Sequence, residues 1–169
     1  MDKRWSDQVK QHWIDRMVQR NVCLGISTAT TLLGAGLKIQ GGSSALYATT
    51  NKVFYTIGGR VYSVAAAASQ AISQATPVLA NGQECAIVVF ANVSGVLSTV
   101  AGPMSVTTTA TAQLPVAADD TLCPIGILYV VATGAWTPSV TALDSNVTTS
   151  YLDLVGSNPF SPNLATLPG

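Results

Sequence analysis

The sequence predicts a mainly β protein: an antiparallel β-sandwich preceded by an N-terminal amphipathic α-helix and an extended arm. Three observations lead to this fold class. A β-hairpin pattern lies at residues 53–64, short β-rich runs separated by turn residues follow it, and residues 4–24 have helical periodicity instead. The predicted parts of the chain are an anchor helix at 1–25, an arm at 26–52, a β-sandwich domain at 53–155 and a Pro/Gly-rich tail at 156–169.

The hairpin pattern is Val53-Phe-Tyr-Thr-Ile-Gly-Gly-Arg-Val-Tyr-Ser-Val64, in which two β-rich runs flank Gly58-Gly59. A two-residue Gly-Gly loop accepts the positive φ angles of a type I′ or II′ turn, whose twist matches that of paired strands. Alternation places Val53, Tyr55 and Ile57 on one face. We therefore predict two antiparallel strands here.

Two later runs, Glu84–Val93 and Ile125–Ala132, are apolar on both faces, which predicts strands in the middle of a sheet or covered on both sides. Turn residues such as Asn81-Gly82 and Ser94-Gly95 separate the runs. Strands of this length and spacing favour a sandwich or barrel over alternating β/α units. The other predicted strands are Val96–Ala101, Met104–Ala112, Val140–Leu143 and Val147–Leu154.

The predicted N-terminal helix has an apolar stripe that contains two tryptophans and a methionine, residue types enriched at protein interfaces. We expect this stripe to dock on another chain, and the alternative is packing on its own domain. Polar residues lie mostly away from the stripe. The predicted docking residues are Trp5, Val9, Trp13, Ile14, Met17 and Val18.

The segments that flank the β domain contain the residues that interrupt regular structure. Glycines break residues 25–52 repeatedly, so we predict an extended arm with short strands near Leu37–Ile39 and Leu46–Tyr47. The tail at 156–169 contains Pro159, Pro162 and Pro168, which exclude a helix or a central strand.

Charge is sparse and unevenly distributed. Charged residues make up 9% of the 169-residue chain, against about 25% in a typical soluble protein. Such a surface suits a protein within an assembly. Five of the eight basic residues lie in the first twenty positions and none follows Arg60, so the β portion has no basic patch for nucleic acid. No apolar run is long enough to predict a membrane span.

The residue types needed for most enzyme chemistry are scarce. The one histidine, His12, lies in the predicted helix, which argues against a catalytic triad or a His-rich metal site. Cys23, Cys85 and Cys123 have no metal-binding or redox spacing. Asp119-Asp120 lacks the further oxygen ligands of a calcium loop. We therefore predict neither an enzyme nor a bound metal or cofactor.

Two aromatic residues are candidates for glycan contact. Tyr129 and Trp136 could line a carbohydrate-binding patch, as exposed aromatics do in β-sandwich proteins that bind carbohydrate. The favoured alternative is that they are core aromatics near a strand end.

Four stretches of the chain resemble the β domain of head decoration (cement) and head-fibre proteins of tailed bacteriophages. The resemblance spans roughly residues 50–155 and implies a jelly-roll-like sandwich, commonly a homotrimer, attached to a capsid through an N-terminal extension. The N-terminal helix would be that attachment. The stretches are VFYTIGGRVYSV (53–64), TPVLANGQECAIVVFANVSGVLSTVAG (76–102), PIGILYVVATGAWTPSVTALD (124–144) and NVTTSYLDL (146–154).

The function expected from these features is that of a structural virion protein, which decorates or cements a tailed-phage capsid as a trimer. Its partners would be further copies of itself and the major capsid protein or another virion protein. It would be made in the host cytoplasm and reside on the capsid surface. The alternatives are a receptor- or glycan-binding module of a tail or head fibre and, less favoured because no secretion signal is predicted, a surface adhesin.

Overall fold

A computed structural model describes residues 29–106 and 121–155 as a mainly β structure, which confirms the predicted class. Within these two ranges there are ten strands and no helix, and every strand pairing is antiparallel. The predicted anchor helix and tail lie outside the described residues. The strands are β1 (Thr30–Thr31), β2 (Leu37–Ile39), β3 (Tyr47–Thr49), β4 (Val53–Ile57), β5 (Arg60–Val64), β6 (Gln83–Asn92), β7 (Leu97–Ala101), β8 (Ser105–Val106), β9 (Leu122–Ala132) and β10 (Val147–Asp153).

The main sheet has the order β10-β9-β6-β7, and β8 continues the line of β7 along β6. Its two long central strands, β6 and β9, are the two runs that the sequence predicts to be apolar on both faces. Their register places Cys85 opposite Val130 and Val88 opposite Ile127, with an irregularity between Val89 and Phe90. Both faces of these two strands are buried, so the middle of the main sheet is shielded from water on both sides.

The predicted hairpin forms β4 and β5, with Ile57 opposite Arg60. Gly58 and Gly59 have φ angles of 57° and 75°, the positive values that a type I′ turn requires at both central positions. With β1 the hairpin makes a three-stranded sheet of order β1-β4-β5. The Tyr55 hydroxyl donates a 2.6 Å hydrogen bond to the carbonyl oxygen of Asn92, which ties this sheet to the end of β6.

The segment predicted as an arm contributes β1, β2 and β3, and several of its side chains are buried in the same core as those of the later strands. Two carboxylates fasten the β2–β3 hairpin. Asp153 accepts hydrogen bonds from the Gly36 and Leu37 amides at 2.8 and 3.2 Å, and Asp144 accepts one from Ser43 at 2.8 Å. Residues 29–52 are therefore packed on residues 53–106 and 121–155.

We call residues 29–106 and 121–155 the body. It has two apolar clusters, one on each face of the main sheet. We call the first face the one that carries Cys85, Ile87 and Val89; it packs against the three-stranded sheet and the β2–β3 hairpin. The second face carries Ala86, Val88 and Phe90, which alternate with them along β6.

One predicted strand is wrong. Residues 140–143 form turns, and Val140 is the most exposed large apolar side chain among the described residues. Ser139 has a positive φ of 57°, and the Thr141 hydroxyl accepts a hydrogen bond from the Thr137 amide. Such side-chain bonds to the local backbone compete with strand pairing. Of the predicted strand at Met104–Ala112, the described part contains only β8.

Candidate assembly surface

One end of the body gathers several elements and is a candidate surface for assembly. We call it the upper end, where β6 ends at Asn92 and β9 begins at Leu122; the lower end is where β6 begins at Gln83. The Thr31 hydroxyl donates a 2.8 Å hydrogen bond to the Pro124 carbonyl oxygen, which brings β1 to the upper end.

The chain after β1 also meets the chain after β10 at the upper end. A Cβ atom added at Gly34 would lie 3.0 Å from Asp153 Oδ2 and 3.4 Å from Val155 Cγ2. Leu154 donates its amide hydrogen to the Ile125 carbonyl oxygen, which places this segment beside the start of β9. Leu32 and Leu33 on one side and Val155 on the other are therefore neighbours of β9 at this end.

The turn between β6 and β7 completes the upper end. Asn92 Oδ1 accepts hydrogen bonds from the amides of Ser94 at 2.9 Å and Val96 at 3.0 Å, and Gly95 takes a positive φ of 75°. This confirms the Ser94-Gly95 turn that the sequence predicts. The turn holds Val93 and Val96 at its two sides, and both side chains are exposed.

The exposed side chains at the upper end are mainly large and apolar. Five of them are about half exposed, and the one carboxylate of this end, Asp153, is occupied by two backbone amides. A group of exposed apolar residues is a mark of an interaction surface, whereas single ones are ordinary. The five are Leu32, Leu33, Val93, Val96 and Val155.

Sequence reasoning did not identify this surface. The sequence predicts Val93 and Val96 as strand residues next to a turn and places the two leucines in an arm. A signal was present, because Val93 and Val96 flank Ser94-Gly95 where a polar loop would be expected.

Three boundaries of the described ranges also lie at the upper end. Ala29 immediately precedes β1, Thr121 precedes β9, and Val155 follows β10. The fourth boundary, Val106, lies opposite Gln83 at the lower end. The predicted anchor residues, which all precede Ala29 and lie outside the described residues, therefore connect to the body at its apolar end.

Each carboxylate in the described ranges has a structural use. Asp144 and Asp153 bind backbone amides, as given above. Glu84, which is buried, accepts hydrogen bonds from the Tyr129 hydroxyl at 2.5 Å and the Ser105 hydroxyl at 3.0 Å. Burial and this contact with Glu84 raise the pKa of Tyr129 to about 12. Residues 29–106 and 121–155 contain no group of three or more potential metal ligands.

The two described cysteines are buried thiols on the first face. Burial raises the pKa of Cys85 and of Cys123 to about 11, although a hydrogen bond with Thr31 partly opposes the shift at Cys123. Both thiols therefore stay protonated near neutral pH, and the thiolate is the nucleophilic form. Cys23 lies outside the described residues.

The two candidate glycan-contact residues do not share a surface. Trp136 is fully buried, its backbone pairs with Leu79, and its ring belongs to the first-face cluster. Tyr129 is partly exposed, packs on the second-face cluster and directs its hydroxyl to Glu84. Trp136 thus occupies the core position that the sequence favours for it.

The described residues include no helix that is both long and apolar enough to span a bilayer. Comparisons of the chain with protein-family models, with curated proteins and with solved structures found no match in any of the three.

Proposed function

We propose that this chain is a structural protein of a tailed-phage particle that decorates or cements the capsid. In this proposal the body is a jelly-roll-like sandwich that assembles as a homotrimer. Residues 1–25 form an amphipathic helix that docks on the major capsid protein or on another virion protein. The β body has no part in catalysis.

One observation supports this proposal most strongly. The N-terminal segment joins the body at the same end that carries the exposed apolar side chains. An anchor at 1–25 would bring this end close to the particle, and five half-exposed apolar side chains would then lose contact with water. A stable and specific interface buries about 1,600 Å² in total. The helix stripe and the upper end together offer the apolar surface for such an interface.

The charge distribution supports the same role. Six charged side chains occur in residues 29–106 and 121–155, and all three of the carboxylates among them hold backbone or hydroxyl groups of the chain itself. A body of this kind offers packing surface rather than reactive groups. A trimer would also add multivalency, since one docked anchor raises the effective concentration of the other two.

The test uses capsids of the phage that carries this gene, prepared without this protein. Full-length protein is expected to co-sediment with the capsids, while residues 25–169 and the variant Trp5→Ala/Trp13→Ala/Met17→Ala are expected to remain in the supernatant. The matched control is Asp7→Asn/Gln19→Ala, which changes two helix positions off the stripe and should sediment like the full chain.

Light scattering on the same samples measures the oligomer. A trimer that persists in residues 25–169 would separate trimerisation from anchoring. Full decoration by residues 25–169 would reject the anchor assignment, and a monomer at every concentration would reject the trimer.

A further inference from the structure

The main sheet ends in two edge strands, β10 on one side and β7 on the other, and no described strand pairs with the outer side of either. The edge of a sheet is a template for pairing with another chain, and proteins commonly block it with lysine, proline or a bulge. Neither β7 nor β10 contains a lysine, an arginine or a proline, and their pairings with β6 and β9 show no bulge. Both edges therefore have the chemistry needed for strand pairing.

Hydrogen bonds show which backbone groups of β10 point outward. The Leu154 amide donates a hydrogen bond to the Ile125 carbonyl oxygen, directly across the pair. In an antiparallel pair, residues bonded in this way alternate with residues that turn their backbone groups to the other side. Even-numbered residues of β10 therefore bond to β9. The backbone groups of Tyr151 and Asp153 point to the outer side, where no described residue bonds to them.

The edge at β7 has the same arrangement. The Asn92 amide donates a 3.1 Å hydrogen bond to the Val96 carbonyl oxygen, so even-numbered residues of β7 face β6. The backbone groups of Leu97, Thr99 and Ala101 point outward. In both edge strands the odd-numbered residues have their side chains on the first face. Outward groups of the two edges could therefore pair within one continuous sheet.

The second face has exposed apolar side chains at these same two edges. One row of directly opposite residues crosses the sheet from β7 to β10. Its two central members are 0% and 1% exposed, whereas the members at the β7 and β10 edges are 38% and 46% exposed. The row consists of Val100, Val88, Ile127 and Leu152. Each edge therefore has a half-exposed apolar side chain at the same height of the sheet.

From these observations we infer that β10 of one copy pairs with β7 of the next copy, with Leu152 opposite Val100 of the partner subunit. In this register the apolar row continues from one copy into the next, and both half-exposed side chains lose contact with water. The outward backbone groups of Asp153 bond to those of Thr99 of the partner subunit. No two like charges meet, because Asp153 is the one charged side chain of the two strands.

Strand direction favours this pairing over a pairing of β10 with β10. Within one copy β10 and β7 are antiparallel, and a rotation about an axis along the strands preserves their directions. The upper ends of all copies then point the same way, as docking on one particle requires. Two β10 strands paired in full overlap around a two-fold axis would point the upper ends in opposite directions. Leu152 would then face Thr148 instead of an apolar side chain.

The inference names the interface of the proposed trimer, and it rests on the proposed function only for the number of copies. Head-to-tail pairing forms a ring if the rotation closes and a filament if it does not. The pairing of the two edges follows from β7 and β10 alone.

The first experiment cross-links the two edges in the full-length chain. In a Cys23→Ser background, Val100→Cys/Leu152→Cys places one thiol on each edge. Opposite residues of a non-hydrogen-bonded antiparallel pair have Cα atoms about 4.5 Å apart, which suits a disulfide. Within one copy the two positions are three strand spacings apart, about 14 Å, so they cannot bond. Mild oxidation should link residues 100 and 152 of different chains, and the ladder on a non-reducing gel should end at three chains.

The matched control is Ser98→Cys/Ser150→Cys, which places thiols on the same face of the same two edges. In the inferred register these positions lie four residues apart along the strands, about 13 Å, so the control should stay unlinked. Peptide mapping by mass spectrometry identifies each link. A Val100→Cys/Leu152→Cys chain that stays unlinked, an equal yield from the control, or a link between two residues 152 would overturn the inference.

The second experiment uses charge. Leu152→Lys and Val100→Glu each place a charge opposite an apolar side chain of the next copy, so each should weaken self-association at least about tenfold. The combination of both in one chain should restore association, because a lysine then faces a glutamate across the interface. Sedimentation velocity measures association, and circular dichroism checks that each variant is folded. Single variants that associate like the parent, or a combination that stays weak, would contradict the pairing.

The outcomes separate the inference from the proposed function. Neither experiment involves capsids, so chains that link through residues 100 and 152 but fail to bind capsids would keep the pairing and reject the proposed docking. A link between residues 100 and 152 in a ladder that passes three chains would keep the pairing and reject the proposed trimer.

Discussion

The two faces of the main sheet are built from the same strands but are covered in different ways. The first face lies under β strands from residues 29–64, and a tyrosine hydroxyl and two aspartates hold those strands in place. The second face has buried Ala86, Val88, Phe90 and Ile127 along β6 and β9, and no described strand packs over it. An uninterrupted apolar run therefore predicts burial on both faces of a strand but leaves open what covers each face.

Alkaline pH should have the largest effect on the stability of the fold. The loss of stability should originate mainly on the first face. Burial raises the pKa of Cys85 and Cys123 to about 11, and it also raises that of Tyr47. An acid whose pKa is higher in the folded state stabilises folding fully below its unfolded pKa and loses that contribution as pH rises through the folded value. The two thiols should therefore lose their contribution to stability between about pH 9 and about pH 11.

Urea unfolding at pH 8, 10 and 11.5 in the presence of a reductant checks this prediction. Stability should be flat below pH 9 and fall steeply above it. The variant Cys85→Ala/Cys123→Ala should start less stable but show a shallower decline. Tyr129→Phe on the second face should alter the decline only above pH 10, because the pKa of Tyr129 rises from 10.0 to about 12. Equal slopes in all three proteins would contradict the assignment.

Truncation of two neighbouring core side chains, Ile87 and Val88, compares the packing of the two faces directly. Ile87→Ala should lower the free energy of unfolding by about 4 kcal/mol, because it leaves a cavity between two layers of strands. Val88→Ala should cost about 2 kcal/mol, since fewer methyl groups are removed on the other face.

Chemical denaturation followed by Trp136 fluorescence provides the measurement, with Trp5 and Trp13 replaced by Phe. An equal cost at residues 87 and 88 would contradict this difference between the two faces.

Replacing the two aspartates that bind the β2–β3 hairpin should have a smaller effect on stability. Asp153→Asn removes the charge and one acceptor from a site that binds the Gly36 and Leu37 amides, and we expect a loss of about 2 kcal/mol. Asp144→Asn weakens one exposed bond to Ser43 and should cost about 0.5 kcal/mol. Hydrogen exchange of residues 36–49 should be faster in the Asp153 variant than in the Asp144 variant. Equal exchange rates in both would show that Asp153 does not hold the hairpin in place.

Features with local signals were predictable from the sequence. Gly58-Gly59 between two alternating runs predicts the hairpin, and the unbroken apolar runs predict β6 and β9. The packing of residues 29–52 on the body was not predictable, because it depends on contacts such as that between Gly36 and Asp153, 117 positions apart. Val140–Leu143 has β-forming residues, yet local bonds of Thr137 and Thr141 turn the chain there.

The apolar upper end could not be found by the same means, for a physical reason. The sequence predicts the Ser94-Gly95 turn between Val93 and Val96, but only the structure shows that both valines are exposed at the end of the main sheet. Leu33 and Val155 become neighbours through β1 and β10, which are far apart in the chain. Exposure at such a place depends on the tertiary structure, and residue type alone does not reveal it.

Substitutions at the upper end should affect stability least and assembly most. Leu33→Ser/Val96→Ser changes two half-exposed side chains, so the free energy of unfolding should stay within about 0.5 kcal/mol. If this end faces a partner, the variant should lose capsid binding or self-association at least about tenfold. The matched control is Val140→Ser, which is more exposed but lies in the turns that follow β9, away from the upper end. Equal binding by both variants would show that the apolar end is not an interface, and a loss confined to Val140→Ser would move the interface to that part of the body.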